Sequence, residues 1–373
     1  MTIEVSYEPR HIFEERIENE YKNIIYLDEF LIYLDGKQKE SILIDEEKLG
    51  NAEALVLTSE GSSRLFSHVF ERLPAIFESL LEHYDNIHIN NPPDILMRAM
   101  GTLDDVQYKD PFYYNNITED EIIKLSETFD TNSEIIGQRV AKKSILRSLV
   151  KMKWRKNNKK PLVLMFYGKP GIGKTETAKY LAKELYNGQI VREQMSMAST
   201  ENSIEYFKST KHNEDSFSKK LMNRTSNLIL LDEFALAHPV ILTAFFQFFD
   251  EGIYTDSNYT LDMKNSIIVC TSNLLSVDEM HKNIDEALLS RFDAFIPFVP
   301  FSKEDKASII SKIISEIKED INKKYQGKID WETVEIEIVS KLEKLTNMRN
   351  IRSYIEDYIA DKILNLYIKN QEK

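Results

Sequence analysis

A chain of 373 residues with 42% hydrophobic and 29% charged residues has the composition of a globular protein and the length for two or three units with cores of their own. No apolar run approaches the roughly 20 residues that cross a bilayer, and the acidic start MTIEVSYEPRHIFEERIENE lacks the basic and apolar regions of a secretory signal, so a membrane role is not expected. The net charge of −13 is uneven: residues 1–130 hold 28 acids against 11 bases and residues 131–373 hold 33 against 37, which reads as two different modules. An acidic front repels a phosphate backbone and argues against nucleic acid as a partner. The basic stretch KMKWRKNNKK at 151–160 is the exception, and reads as a solvated helix end and loop. The lone Cys270, inside the apolar run SIIVC, reads as a small core residue of a reducing, cytoplasmic compartment.

In chain order, NIIYL and SILID are short strand candidates. ALVLT, SSRLFSHVFERLPAIFESLLEHY and NIHI then give strand, amphipathic helix, strand. This front α/β unit is expected over 1–125. His88 in NIHI reads as a core histidine. Beyond IIGQRVAKKSILRSLVKMKW, which has helical spacing, the apolar runs PLVLMFY, NLILL and SIIVC alternate with helical segments over 126–302. That is the rhythm of a parallel sheet covered on both faces. After the proline-marked FIPFVPFSKED, three amphipathic helices at about 303–322, 331–345 and 349–368 make a small all-α C-terminal domain over 303–373.

The string LVLMFY-GKPGIGKT-ETAKYLAKELY places G-x-x-x-x-G-K-T between a strand and a helix. Gly168, Gly171 and Gly173, with Lys169, Pro170 and Ile172 between them, let the backbone turn its N–H groups toward phosphates. Lys174 reaches the β- and γ-phosphates of ATP, Thr175 gives its hydroxyl to Mg²⁺, and Glu176 follows in the first helical turn. A second strand, NLILLDEF, ends in Asp232 and Glu233 at the edge where α/β sheets bind ligands. Asp232 is expected to hold Mg²⁺ and Glu233 to polarise the attacking water. SIIVC leads into TSN, where Asn273 is placed to orient that water. Arg291 in SRFD, and Arg349 and Arg352 in NMRNIRSY, are singled out by order and spacing alone.

The order of these motifs resembles the AAA+ superfamily, and their wording is similar to the Clp family, in particular the second ATPase ring of Clp disaggregases and unfoldases. The resemblance runs from about Ile135 to Tyr358 through IIGQ, MS at Met195 and Ser196, LLDEFALAHPVILTAFFQFFDEG, TSN, SRFD and MRNIRSYI. It implies an AAA+ P-loop sheet with helices on both faces, capped by an all-α C-terminal lid. It also implies that Ile135 and Ile136 line the adenine pocket, Asn273 is sensor 1, Arg291 is an arginine finger and Arg349 is sensor 2. A finger that acts on a neighbour's nucleotide requires a ring of copies of this chain, a hexamer by the family's habit. The resemblance takes His238 as structural. Two departures stand out. The family's aromatic pore loop has no counterpart in EYFKSTKHNEDSFSKK, where only Tyr206 and Phe207 are aromatics able to replace it. Asn347 stands where the sensor-2 motif has glycine.

The first expectation is therefore a Clp-like ATPase that remodels or switches a partner protein chosen by residues 1–125, without processive threading. Three alternatives stay open. One is an unfoldase gripping with Tyr206 or Phe207. The others are an ATP-gated scaffold or regulatory component, as in some bacterial anti-phage systems, and a DNA-handling ATPase using 151–160.

Overall fold

The computed structural model describes residues 2–36, 50–110, 112–114, 116–131, 134–154, 160–321, 323–341 and 348–371. The strand expected at SILID lies outside the described residues. In the front unit, strands β1 (Thr2–Ser6), β2 (Ile24–Tyr26), β3 (Ala54–Leu57), β4 (Asn86–Asn90) and β5 (Val106–Tyr108) form one sheet in the order β2-β3-β4-β1-β5. Every pairing in it is parallel. Alternation along a strand sends neighbouring residues to opposite faces. Leu55 and Leu57 of β3 accordingly join Phe70, Leu73 and Phe77 of the long helix Ser67–Leu81. Val56 between them joins Phe13 and Ile17 of helix α1 (Arg10–Glu20) on the opposite face. The long helix keeps its course through Pro74. Proline removes an intrahelical hydrogen bond there, and burial of the apolar stripe offsets the loss.

The second unit is again a five-stranded parallel sheet. Its strands β6 (Leu162–Tyr167), β7 (Val191–Gln194), β8 (Leu228–Asp232), β11 (Ile267–Ser272) and β12 (Ala294–Pro297) are ordered β12-β6-β11-β8-β7. A short antiparallel hairpin, β9 (Ile253–Thr255) with β10 (Thr260–Asp262), stands apart from it. Leu162, Leu164 and Phe166 of β6 belong to the core on one face, Val163 and Met165 to the core on the other. The second face is rich in phenylalanine, with Phe207, Phe217, Phe234, Phe245 and Phe248 in mutual contact. Cys270 is fully buried there, and burial pushes its thiol well above the ordinary range.

The first face is covered by α2 (Glu119–Thr131), α3 (Arg139–Trp154) and α4 (Lys174–Tyr186). Residue 125, the expected boundary, falls inside α2. The apolar spacing of Ile122, Leu125 and Phe129 puts that helix in the core of the second unit. The C-terminal helices α5 (Lys303–Asp320), α6 (Trp331–Val339) and α7 (Met348–Gln371) extend the same core through Ile310, Ile313, Ile338, Ile351 and Ile355. A capping box between Ser302 and Asp305 fixes where α5 begins. Among the described residues no helix is long and apolar enough to cross a membrane.

The front unit sits against the second through specific groups. His212 donates from Nε2 to the Leu65 carbonyl at 2.7 Å and meets the Phe70 ring edge-on at 5.0 Å. The Asp94 amide donates to the Asn258 carbonyl, at the hairpin tip, at 2.8 Å. Tyr113 reaches Asp262 at 3.4 Å, and Arg224 lies over Tyr114 at 5.1 Å. The hairpin tip is itself fixed by Asp256, which accepts from the amides of Asn258 and Tyr259 at 2.8 Å each. Asn258 in turn donates to Ser209.

Candidate functional site

The loop after β6 turns sharply because its glycines take conformations closed to other residues. Gly168 has φ +131° and an added Cβ would stand 2.4 Å from the Phe298 carbonyl oxygen; Gly173, at φ +100°, caps the N-terminus of α4. The helix N-terminus and the turned amides make an anion site by construction. Lys174 opens α4 and folds its Nζ back onto the carbonyls of Gly168 at 2.6 Å and Lys169 at 2.8 Å, and onto Asn273 Oδ1 at 3.0 Å. Burial lowers its ammonium to about 8, against the pull of Asp232 and Glu233.

Asp232, the last residue of β8, is 5% exposed. Its Oδ1 accepts from Thr175 Oγ1 at 3.1 Å and Thr271 Oγ1 at 2.6 Å, and its Oδ2 pairs with Arg192 at 2.6 Å. Glu233 follows in the left-handed region, φ +57°. Its amide donates to Thr271 Oγ1 at 2.9 Å and its carboxylate accepts from Gln194 Nε2 at 2.7 Å. A non-glycine residue held there is a local strain of the kind found at functional sites.

These groups line a cavity of about 690 Å³ that Ile135, Ile136 and Pro170 to Glu176 also border, closed from the C-terminal side by Ile309, Ile313, Glu316 and Arg352. Gln138 holds the wall together. Its Nε2 donates to the carbonyls of Ile172 at 3.1 Å and Val299 at 2.8 Å, and its Oε1 accepts from the Val299 amide at 3.0 Å. Gly137 packs so closely on the α5 cap that an added Cβ would lie 2.8 Å from the Asp305 carboxylate. The hard oxygens of Thr175 and Asp232 suit Mg²⁺, which keeps most of its shell as water and phosphate and needs only one or two protein ligands.

The sequence-read residues thus divide. Lys174, Thr175, Asp232, Glu233, Asn273, Ile135 and Ile136 converge on one cavity. Arg291 does not line it. Its guanidinium lies over the Phe246 ring at 4.9 Å, bonds the Ala287 carbonyl and stands 3.6 Å from Asp250. Arg349 is in the first turn of α7, and its side chain lies outside the described residues, as does Asn347. Arg352 borders the cavity instead, tied to Glu316 at 2.9 Å and Glu356 at 3.0 Å. His238 caps the helix Pro239–Leu242 through its Nδ1. Phe207 is 2% exposed in the core, and Tyr206 is half-buried with its hydroxyl on Glu193 at 3.2 Å. Sequence reading missed Arg192, Gln194, Thr271 and Gln138. The available signal for the first two was the i, i+2 alternation in VREQ beside the strand that carries Asp232, since β7 and β8 pair Gln194 with Asp232.

Residues 159–331 match the family described as AAA domain (Cdc48 subfamily). The ATP-dependent Clp protease ATP-binding subunit ClpL of Staphylococcus aureus (strain bovine RF122 / ET3-1) is 27% identical over 269 residues, covering 64% of this chain. The ClpL of Staphylococcus aureus strain USA300 is 26% identical over the same length. The chain spans 38% of the length of these relatives. The closed-state structure of Hsp104 with ATPγS and FITC-casein shares the fold, with a TM-score of 0.55 at 18% identity over 84% of this chain and 62% of that one. The P-loop cavity, the order of its motifs and these likenesses together support a Clp-family AAA+ ATPase.

Proposed function

We propose that the chain hydrolyses ATP between the copies of a ring, in the cytoplasm, and uses the cycle to remodel or switch a partner protein chosen by its front unit, without threading a polypeptide. The convergence of Lys174, Thr175, Asp232 and Glu233 on one cavity supports the chemistry. Lys174 and the turned amides of the P-loop bind the phosphates. Thr175 Oγ1 and Asp232 would hold Mg²⁺, which supplies charge neutralisation at the β- and γ-phosphate oxygens. Glu233, held by Gln194, takes the proton of the water that attacks the γ-phosphorus as the bond to the β–γ bridging oxygen breaks. The Asn273 amide orients that water. Arg291, turned away from its own cavity, is available to a neighbour's phosphate, and Arg349 is proposed to approach from the lid.

The observation that carries the non-threading reading is the seat of the front unit. His212 belongs to the segment where the family's pore loop would stand, and it is 8% exposed under Leu65 and Phe70. The two aromatics available for gripping are also engaged, Phe207 in the core and Tyr206 on Glu193. The test pairs Glu233→Gln with Tyr206→Ala. The first should retain ATP and co-purify with the partner while hydrolysis stops. The second should leave partner remodelling intact; loss of unfolding of a tagged substrate with ATPase activity preserved would restore the threading reading.

A further inference from the structure

We propose that the outer face of α3 is a docking ridge for single-stranded nucleic acid. Arg139, Lys143, Arg147 and Lys151 recur at every fourth residue of this helix. That spacing places them in one stripe, each about 6 Å further along the axis than the last. All four are exposed, while Ala141, Ile145, Ser148 and Leu149 turn the opposite side into the core. Among the described residues no carboxylate pairs with any of the four. Other surface cations are neutralised, among them Arg10, Lys183, Arg192 and Lys220, which each have an acidic partner. Four unneutralised cations in a row, on a chain of net charge −13, mark a face that meets a polyanion.

The row ends in Trp154, which is 76% exposed, and the sequence continues RKNNKK from Arg155 to Lys160. An exposed indole beside cations is the pairing that binds single strands, with phosphates neutralised along a groove or ridge and a base stacked on the ring. The alternative polyanion within reach is the chain's own acidic front unit, and it is seated elsewhere, through His212, Asn258 and the tyrosines Tyr113 and Tyr114. A linear repeat of one sign of charge also matches a linear polyanion better than the scattered carboxylates of a folded surface. None of the five residues borders the nucleotide cavity, so this proposal stands or falls apart from the hydrolysis reading.

The test is fluorescence anisotropy of a labelled oligothymidylate of about 20 nucleotides with the full chain, titrated with salt from about 50 to 200 mM. Binding should weaken steeply across that range. The double variant Arg147→Glu, Lys151→Glu should lose about tenfold or more at the low-salt end and lower the slope of log K against log salt by about 2. Trp154→Ala should weaken binding by about fivefold or more with the slope unchanged. If the charge reversals disturb folding in circular dichroism, the pair Arg147→Gln, Lys151→Gln serves in their place. The proposal fails if the oligonucleotide does not bind at low salt, or if the charge variants or Trp154→Ala leave binding unchanged. It fails equally if polyglutamate displaces the oligonucleotide at matched charge, which would assign the ridge to an acidic protein.

Discussion

The described residues form two five-stranded parallel sheets, and their carboxyl edges have been put to opposite uses. On the second sheet the edge carries Gly168 to Thr175, Asp232, Glu233 and Asn273 around an open cavity. On the first sheet the same edge carries Ser6, Thr58, Asn90 and Asn91, all buried. Asn90 and Asn91 both turn their amides onto the Glu8 carbonyl, at 3.0 and 2.6 Å, and Thr58 caps the next turn through Gly61. Topology offers a ligand crevice at such an edge in either case. Glycines that expose amides and charged groups that converge keep it open, whereas short buried side chains turned onto nearby backbone groups close it. A partner element, here the segment around His212 and the β9–β10 hairpin, then lies against it.

The contrast can be broken at the second sheet first. Glu233→Gln should lower the hydrolysis rate by about 10²–10⁴ while ATP still binds, because only the proton acceptor is lost; single-turnover assays beside fluorescent-nucleotide binding check this. Gly168→Ala tests whether the open loop depends on backbone freedom. Its Cβ would press on the Phe298 carbonyl at a φ of +131°, and a strained residue there should cost about 3 kcal/mol, read as a lowered Tm and weakened nucleotide binding. At the first sheet, His212→Ala leaves the Leu65 carbonyl without its donor and should cost about 1–3 kcal/mol. Hydrogen exchange at 65–70 should rise while ATP binding is kept; unchanged exchange would mean that the front unit is not held there. The smallest effect is confined to the front unit by pH. A hydrogen bond from His88, with Arg16 adding to it against burial, holds Glu4 down at about 2 rather than 4.5. A depressed carboxylate stabilises the fold above its ordinary value and loses that contribution as pH falls from about 4.5 toward 2. Glu4→Gln should remove the part of acid unfolding of the front unit that falls in that window, followed by tryptophan-independent circular dichroism.

The second sheet was legible because each of its chemical residues sits next to a strand end in sequence: Lys174 after LVLMFY, Asp232 and Glu233 after NLILL, Asn273 after SIIVC. The groups that hold those residues were not. Arg192 and Gln194 reach Asp232 and Glu233 only through the pairing of β7 with β8, and a single sequence does not contain a register. Gln138 was read inside a motif but not as the clamp between Ile172 and Val299, which are far apart along the chain. Arg291 was legible as an arginine in the right order, while its rest position over Phe246 depends on packing. In the front unit the helix Ser67–Leu81 and its two flanking strands were foreseen from periodicity. The interior place of β1, between β4 and β5, was not, because it rests on pairings with strands that come long after β1 in the sequence.

Gly137 gives the start of α5 and the wall of the cavity a shared point of support. The Asp305 carboxylate accepts from the Ser302 amide at 3.1 Å, so it moves with the start of α5, and it leaves no room for a side chain at Gly137. Ile135 and Ile136 precede that glycine directly. A tilt of α5 about this point would press on the backbone that carries the two isoleucines, and so on the wall of the cavity that they border.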